Sequence, residues 1–247
     1  MQDHNLLTGH QWQPLTDYGW THKFWTLNTD AITGSMIVSI LIILFSLYAH
    51  YALQQKKSIV KIVILKYVES LKELLHQTLQ GAPINHLAFI GSLFTFIFCC
   101  NIISLIPFVE EPTKDLNTTL ALGLISFFYV QGNSIYHKGI KEYCKDFIQP
   151  FFLMFPLHVI GKLTSIMSLS FRLFGNIFGG YIISTLWFKL VASSIYMQIA
   201  GLALGLNLFL QLAFCIFEGS IQAFVFSMLT LTYLSMEIAP QEESGEL

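Results

Sequence analysis

A single arginine lies within one of the most apolar stretches of this 247-residue chain. Between residues 151 and 236 the only charged side chains are those of Lys162, Arg172, Lys189 and Glu218. A guanidinium group stays protonated at any working pH, and placing it at the centre of a bilayer costs about 2.5 to 3.5 kcal/mol. Because ionisable residues inside membrane segments mark substrate or ion pathways, Arg172 is the first candidate functional residue.

Polar residues recur on two apolar segments at intervals of three or four, the spacing that places side chains on one helix face. The first stripe consists of Ser165, Ser168, Arg172 and Asn176. The second stripe consists of Gln211, Cys215, Glu218 and Gln222. Three glycines accompany the first stripe, at positions 161, 175 and 179. Small residues allow another backbone to approach closely, so the first stripe is suited to contact with a further surface.

Two interpretations of these stripes remain open at this point. In the first interpretation, Arg172 and Glu218 form an internal ion pair that holds two helices together, since charges within membranes do pair. Alternatively, the stripes line a proton pathway, because a fixed cation near an ion-carrying carboxylate favours release of its proton. Lysine would serve less well than Arg172 as such a cation, because desolvation can neutralise an ammonium group.

The composition is that of a polytopic membrane protein. Hydrophobic residues make up 54% of the chain and charged residues 11%, against about 25% charged in soluble domains. The net charge of −2 argues against a nucleic-acid partner. The four cysteines have no metal-ligand spacing and are predicted to be small apolar residues, and no phosphate-binding G-x-x-x-x-G-K-[ST] loop is present. We therefore expect no cofactor, no metal and no phosphoryl-transfer site in this chain.

Apolar segments predict an all-α membrane protein with about five crossing helices in one membrane domain, residues 31–236. A polar segment (1–30) precedes this domain and an acidic tail (237–247) follows it. The last two apolar segments are too long to stand perpendicular in a core of about 30 Å, so they must tilt steeply, lie partly in the plane or break. The predicted spans are 32–53, 87–107, 116–136, 159–191 and 194–236.

A lysine-rich stretch, 54–80, carries apolar residues at helical spacing and is predicted to be an amphipathic helix on the membrane surface. Lysines also follow the third span. The positive-inside rule places both basic loops in the cytoplasm. The N-terminus is then expected outside and the C-terminus inside, in an energy-transducing membrane such as the bacterial plasma membrane.

The sequence SLSFRLFGN at residues 168–176 resembles the signature of subunit a of F-type ATP synthases. Further segments resemble that family in the same order along the chain. They are FWTLN at 24–28, NIISLIP at 101–107, PT at 112–113, NTTL at 117–120, IQAFVF at 221–226 and LTYL at 231–234. The resemblance therefore extends over nearly the whole chain.

The resemblance implies a proton-translocating stator subunit beside a rotating ring of c subunits. In that family, two long tilted helices surround part of the ring, and the arginine matching Arg172 separates two offset half-channels that lead to the ring carboxylates. Asn176 and Gln222 match family positions near that pathway, and Glu218 is expected to belong to it. The implied partners are the c-ring, b-type peripheral stalk subunits and the rest of the ATP synthase, together with lipid and protons.

Several positions differ from the family pattern. Tyr181 and Cys215 stand where relatives often have ionisable residues, and Lys162 stands where many have an acid. The remaining candidates for residues lining the half-channels are Ser168, Cys215, Gln211, Tyr181 and His158. Proton access through His158 or through the pair Glu110–Glu111 is also considered. The alternative function is a stand-alone cation transporter or channel gated by an internal Arg172–Glu218 pair, and a further alternative is a purely structural membrane anchor.

Overall fold

Long apolar helices dominate the computed structural model, which describes residues 11–12, 27–54, 59–78, 85–105, 111–148, 155–196, 198 and 205–238. The α-helices are α1 (Thr29–Gln54), α2 (Ile59–Thr78), α3 (Asn85–Ile102), α4 (Leu116–Lys138), α5 (Ile140–Ile148), α6 (Phe155–Ala192), α7 (Leu206–Leu212) and α8 (Gly219–Ile238). A π-helical turn (Ala213–Glu218) joins α7 to α8, and 3₁₀ turns are formed by Ile103–Leu105 and Pro112–Lys114. Two short strands, β1 (Gln11–Trp12) and β2 (Leu27–Asn28), pair antiparallel.

The prediction of an all-α membrane protein is confirmed. In the described part of the chain, four helical segments are long and apolar enough to cross a membrane: α1, α3, α6 and the segment Leu208–Ile238. Helix α4, the remaining predicted crossing, has 23 residues and is about 35 Å long, enough to span a hydrocarbon core.

Helix α6 begins earlier than the apolar pattern predicts. Its 38 residues start at Phe155, so Pro156 lies inside its first turn rather than before it. Proline is tolerated there because the first backbone N–H groups of a helix have no intrahelical acceptor. At about 57 Å the helix is almost twice as long as the hydrocarbon core is thick, so it must tilt or extend beyond the core.

The last apolar segment is broken, which is one of the three outcomes that its length allowed. Gly205 precedes α7 with a φ of 61°, a left-handed conformation that glycine adopts without steric cost. Gly219 does not bend the chain and lies in regular helix directly after the π turn. No local pattern indicates that π turn, because the spacing of the polar residues at 211–222 predicts an uninterrupted helix.

The lysine-rich stretch forms the amphipathic helix α2. Its inner face packs against α3, where the Tyr67 hydroxyl lies 2.9 Å from the Thr95 hydroxyl and Leu75 is buried. Burial raises the pKa of the Tyr67 phenol, which therefore remains a neutral hydrogen-bonding group. The opposite face of α2 is exposed and carries Lys66, Glu69, Lys72 and Glu73.

An apolar core lies where α3, α4, α6 and α8 meet. Its buried members are Leu93, Ile97, Leu122, Leu169, Leu173, Ala223 and Phe226. Inside a membrane, burial of such side chains supplies little hydrophobic driving force, because lipid tails are equally apolar. Close packing, small residues and hydrogen bonds between helices must therefore fix this arrangement.

Gly219 shows how closely α8 approaches α3. A Cβ atom at this position would lie 2.6 Å from the Asn101 Cβ atom, closer than two carbon atoms can pack. The absent side chain lets the Asn101 amide nitrogen donate to the Gly219 carbonyl oxygen at 3.1 Å. The Thr113 hydroxyl donates to the other end of the same buried amide at 3.3 Å. One polar side chain thus connects α3, α8 and the turn Pro112–Lys114.

Replacing Gly219 by alanine is expected to destabilise the protein by about 1 to 3 kcal/mol, the usual cost of overpacking. Gly132 on α4 is the matched control, because a Cβ atom there would meet nothing within 4 Å. Gly132→Ala should be neutral or stabilising by up to about 1 kcal/mol through its higher helix propensity. The thermal unfolding midpoint of the detergent-solubilised variants measures both effects. Equal midpoints for the two variants would contradict the proposed close approach.

Candidate functional site

The first polar stripe lies on a continuous part of α6. Ser168, Arg172 and Asn176 are exposed on the chain, while Leu169 and Leu173 on the other side of the helix are buried against α4 and α8. The alternation follows the helical period, since residues three and four apart share a face. A Cβ atom added at glycine 161, 175 or 179 would meet nothing within 4 Å. No described part of the chain therefore packs against these glycines.

Arg172 has no ion-pair or hydrogen-bond partner among the described residues. The internal Arg172–Glu218 pair, one of the two interpretations of the stripes, is not formed. Glu218 lies at the end of the π turn and borders a cavity, whereas Arg172 lies on the exposed stripe of α6. The described residues therefore provide no counter-charge for Arg172.

The second stripe is altered by the π turn. One such turn adds a residue to the helical repeat and rotates the following face by about 100° relative to an uninterrupted α-helix. Cys215, Glu218 and Gln222 still line one common cavity. Gln211 lies on α7, and its side chain is outside the described part of the structure. The predicted four-residue face is thus reduced to three residues that the structure brings together.

The cavity that contains Glu218 has a volume of about 200 Å³, enough for several water molecules. Its walls come from α6, α7, the π turn, α8, the end of α3 and Glu111. The polar residues on its surface are Asn101, Glu111, Asn176, Tyr181, Ser184, Glu218 and Gln222. We call this space the first cavity. It gathers Asn176, Tyr181, Cys215, Glu218 and Gln222 from the sequence-predicted site.

A hydrogen bond joins α6 to α8 at the edge of the first cavity. The Asn176 side-chain nitrogen donates to the Gln222 side-chain oxygen at 2.7 Å. Gln222 is buried, and its own nitrogen has no partner among the described atoms. Asn176 is one helical turn from Arg172, so this bond fixes the spacing of α8 from the helix that carries the arginine.

Asn101 and Glu111 complete the first cavity and were not singled out as site residues from the sequence. Asn101 drew attention only as part of the NIISLIP motif, although its burial at the α3–α8 crossing gives it a structural role. Glu111 was considered only together with Glu110, which lies outside the described residues. Near the same cavity, the Lys114 ammonium nitrogen lies 3.4 Å from the centroid of the Tyr181 ring, a cation–π contact.

A second cavity of about 280 Å³ lies toward the other end of α6. His158, Lys162 and Ser165 contribute from α6, Gln131 from α4 and Glu237 from α8. His158, a sequence-predicted candidate, is therefore placed at the opposite end of α6 from Tyr181. Glu237 was assigned to the acidic tail from the sequence, but α8 continues through residue 238 and includes it.

Apolar side chains separate the two cavities. Leu173 on α6 and Ala223 and Phe226 on α8 are almost completely buried between them. Along α6, Arg172 comes after the residues of the second cavity and before those of the first. The two cavities, each large enough for several water molecules, therefore lie toward opposite ends of α6, and the permanent charge of Arg172 lies between them.

The described residues contain no group of three or more His, Cys, Asp or Glu side chains able to hold a metal ion. Cys99, Cys100, Cys144 and Cys215 are free thiols. The described residues therefore provide polar groups, carboxylates and cavities large enough for water. These features are suited to passing protons along hydrogen bonds.

Comparison with known proteins identifies the family of this chain. Residues 32–235 match the sequence profile of the family described as ATP synthase A chain. ATP synthase subunit a 2 of Picosynechococcus sp. is 34% identical over 180 residues, covering 73% of this chain and 72% of the relative. ATP synthase subunit a of Limosilactobacillus reuteri is 31% identical over 227 residues, covering 87% and 94%. The subunit a of Moorella thermoacetica is 34% identical over 173 residues, covering 70% and 74%. The chain belongs to the ATP synthase A chain family.

Proposed function

We propose that this chain is the proton-translocating stator subunit of a rotary F-type ATP synthase. The two cavities act as half-channels, one on each side of the membrane, and Arg172 lies between them and prevents direct leakage. The observation that carries this proposal is an exposed arginine that has no partner among the described residues and lies between two cavities separated by apolar side chains.

The partner that balances Arg172 is a ring of c subunits carrying carboxylates within the membrane. Support comes from the stripe itself, which is exposed and flanked by glycines with open space beside them. Small residues permit close approach of a second helical surface. Each ring carboxylate would release its proton on approaching Arg172, because a nearby cation stabilises the charged form. The b-type peripheral stalk subunits and the rest of the synthase complete the assembly.

The basic loops support an N-outside, C-inside orientation in the bacterial plasma membrane. Lys138 lies at the end of α4 and Lys141 in α5, and the positive-inside rule assigns both to the cytoplasm. Helix α5 is joined to the second cavity by the hydrogen bond from Tyr143 to Gln131. The first cavity, bordered by Glu111 and Glu218, then opens toward the outer side. Each charge that crosses 100 mV releases about 2.3 kcal/mol, so several protons are required for each ATP.

The main alternative is a stand-alone cation transporter gated by an Arg172–Glu218 pair. The structure disfavours it, because Arg172 has no such pair and its stripe lies on the exposed side of the helix. Co-purification in mild detergent distinguishes the two functions. A ring oligomer and a soluble ATPase should accompany the chain, whereas an active homo-oligomer without them would contradict the stator function.

Arg172→Ala should reduce proton-driven ATP synthesis at least about a hundredfold, or by more than about 2.7 kcal/mol, while the complex still assembles. Arg172→Lys should also lose most of the activity, since an ammonium group lacks the guanidinium fork and can be neutralised in an apolar setting. The matched control is Lys189→Ala, which removes an exposed cation from the same helix and should leave the rate unchanged. Membrane vesicles energised by a pH gradient provide the measurement. Normal synthesis by Arg172→Ala would refute the proposed function.

Glu218→Gln should slow ATP-driven proton pumping about tenfold if its carboxylate relays protons in the first cavity. Glu218→Asp keeps an ionisable group there and should retain most of the rate. Glu73→Gln is the matched control, because it removes an exposed carboxylate from α2, away from both cavities. Fluorescence quenching of a pH-sensitive dye in inverted vesicles gives the rates. An unchanged rate for Glu218→Gln would limit Glu218 to a structural role.

A further inference from the structure

A network of charged and polar side chains borders the second cavity through Gln131, Lys162 and Glu237. The Lys162 ammonium nitrogen lies 2.9 Å from one carboxylate oxygen of Glu237, joining α6 to the last turn of α8. The Ser134 hydroxyl on α4 donates to the other oxygen of Glu237 at 3.1 Å. The carboxylate is thereby held at both oxygens by groups from two different helices.

Gln131 and Tyr143 extend this network to α4 and α5. The Gln131 side-chain oxygen accepts hydrogen bonds from the Lys162 ammonium group at 2.9 Å and from the Tyr143 hydroxyl at 2.6 Å. Burial raises the pKa of the Tyr143 phenol, and the charge of Glu237 raises it further. Tyr143 consequently remains a neutral donor, which leaves Lys162 as the cation that faces Glu237 in this network.

Two features distinguish this ion pair from an ordinary surface contact. Its side chains are only about one fifth exposed, 22% for Lys162 and 21% for Glu237, yet both border the second cavity. Glu237 is also the only carboxylate among the described residues that line this cavity. Glu237 therefore combines a fixed position with direct access to a space large enough for several water molecules.

We propose that Glu237 is the proton-relaying carboxylate of the second cavity and that Lys162 is its positioning residue. This inference rests on the proposed function. A proton released from a ring carboxylic acid crosses the water of the cavity and forms an O–H bond with Glu237. That bond then breaks as the proton passes to water on the cytoplasmic side, and the carboxylate pairs again with Lys162. Charge and atoms balance over the cycle, and the direction reverses during ATP hydrolysis.

The first test removes the carboxylate in the intact complex. Glu237→Gln should lower ATP-driven proton pumping about tenfold, whereas Glu237→Asp should retain most of it. Glu142→Gln is the matched control, since it removes an exposed carboxylate from α5 close to the same end of the molecule. Subunit composition of the purified complex verifies assembly of each variant. A wild-type pumping rate for Glu237→Gln would overturn the proposal.

A second variant separates proton relay from a structural tie between helices. Lys162→Met combined with Glu237→Gln removes both charges, so no unpaired charge remains to destabilise the packing. If the pair only joins α6 to α8, this double variant should recover the wild-type rate, and the proposal fails. If Glu237 relays protons, the double variant should assemble normally and remain as slow as Glu237→Gln.

Chemical rescue supplies a measurement that a purely structural residue would not affect. Glu237→Ala leaves space in the cavity, where formate, a small carboxylate, can exchange protons in place of the lost side chain. Added formate should increase the coupled ATP hydrolysis rate of the solubilised Glu237→Ala complex, but not that of the Arg172→Ala complex. Lack of rescue in Glu237→Ala would contradict the relay. Full activity of Arg172→Ala would refute the proposed function itself, so the two failures are distinguishable.

Discussion

The permanent charge of Arg172 is the constraint on which the other features of this structure depend. A guanidinium group cannot be neutralised by losing its proton, and an apolar environment makes its charge costly. No residue in the described part of the chain balances this charge, because Glu218 borders the first cavity and Glu237 is paired with Lys162. Arg172 on α6 and the carboxylates of Glu218 and Glu237 instead occupy separate positions along α6 and the π turn–α8 segment. Arg172 thus remains able to pair in turn with carboxylates that arrive from another molecule.

Keeping these groups apart requires helices at fixed distances, and a membrane supplies little hydrophobic force to fix them. Three polar contacts between helices fix these distances. Asn101 binds the backbone of Gly219, Asn176 binds Gln222, and Lys162 binds Glu237. The last two contacts lie on either side of Arg172 along α6. The helix that carries the charge is therefore attached to α8 on both sides of the position where a partner must approach.

Local sequence patterns predicted the helices and the arginine well, because a charge in an apolar run and a helical period are visible in a single segment. The Lys162–Glu237 pair could not be predicted in this way, since its members are 75 positions apart and no local pattern connects them. The π turn was missed for another reason. Its residues, Ala213–Glu218, have ordinary helix-forming character, and the extra residue in the turn becomes evident only from the backbone. The start of α6 was missed too, because the helix extends to Phe155, four residues before the apolar pattern begins, and its first turn tolerates Pro156.

In the proposed function, the apolar core between the cavities is the reason why proton transfer needs a moving partner. The space between the two cavities is filled by the buried side chains of Leu173, Ala223 and Phe226. A proton does not cross such packing without polar groups or water. A proton that arrives in one cavity can reach the other only on a carrier that passes the exposed face of α6. Arg172 lies on that face and repels a cation that arrives without a carrier. In the proposed function, the separation that prevents leakage is also what couples proton flow to the displacement of a neighbouring protein.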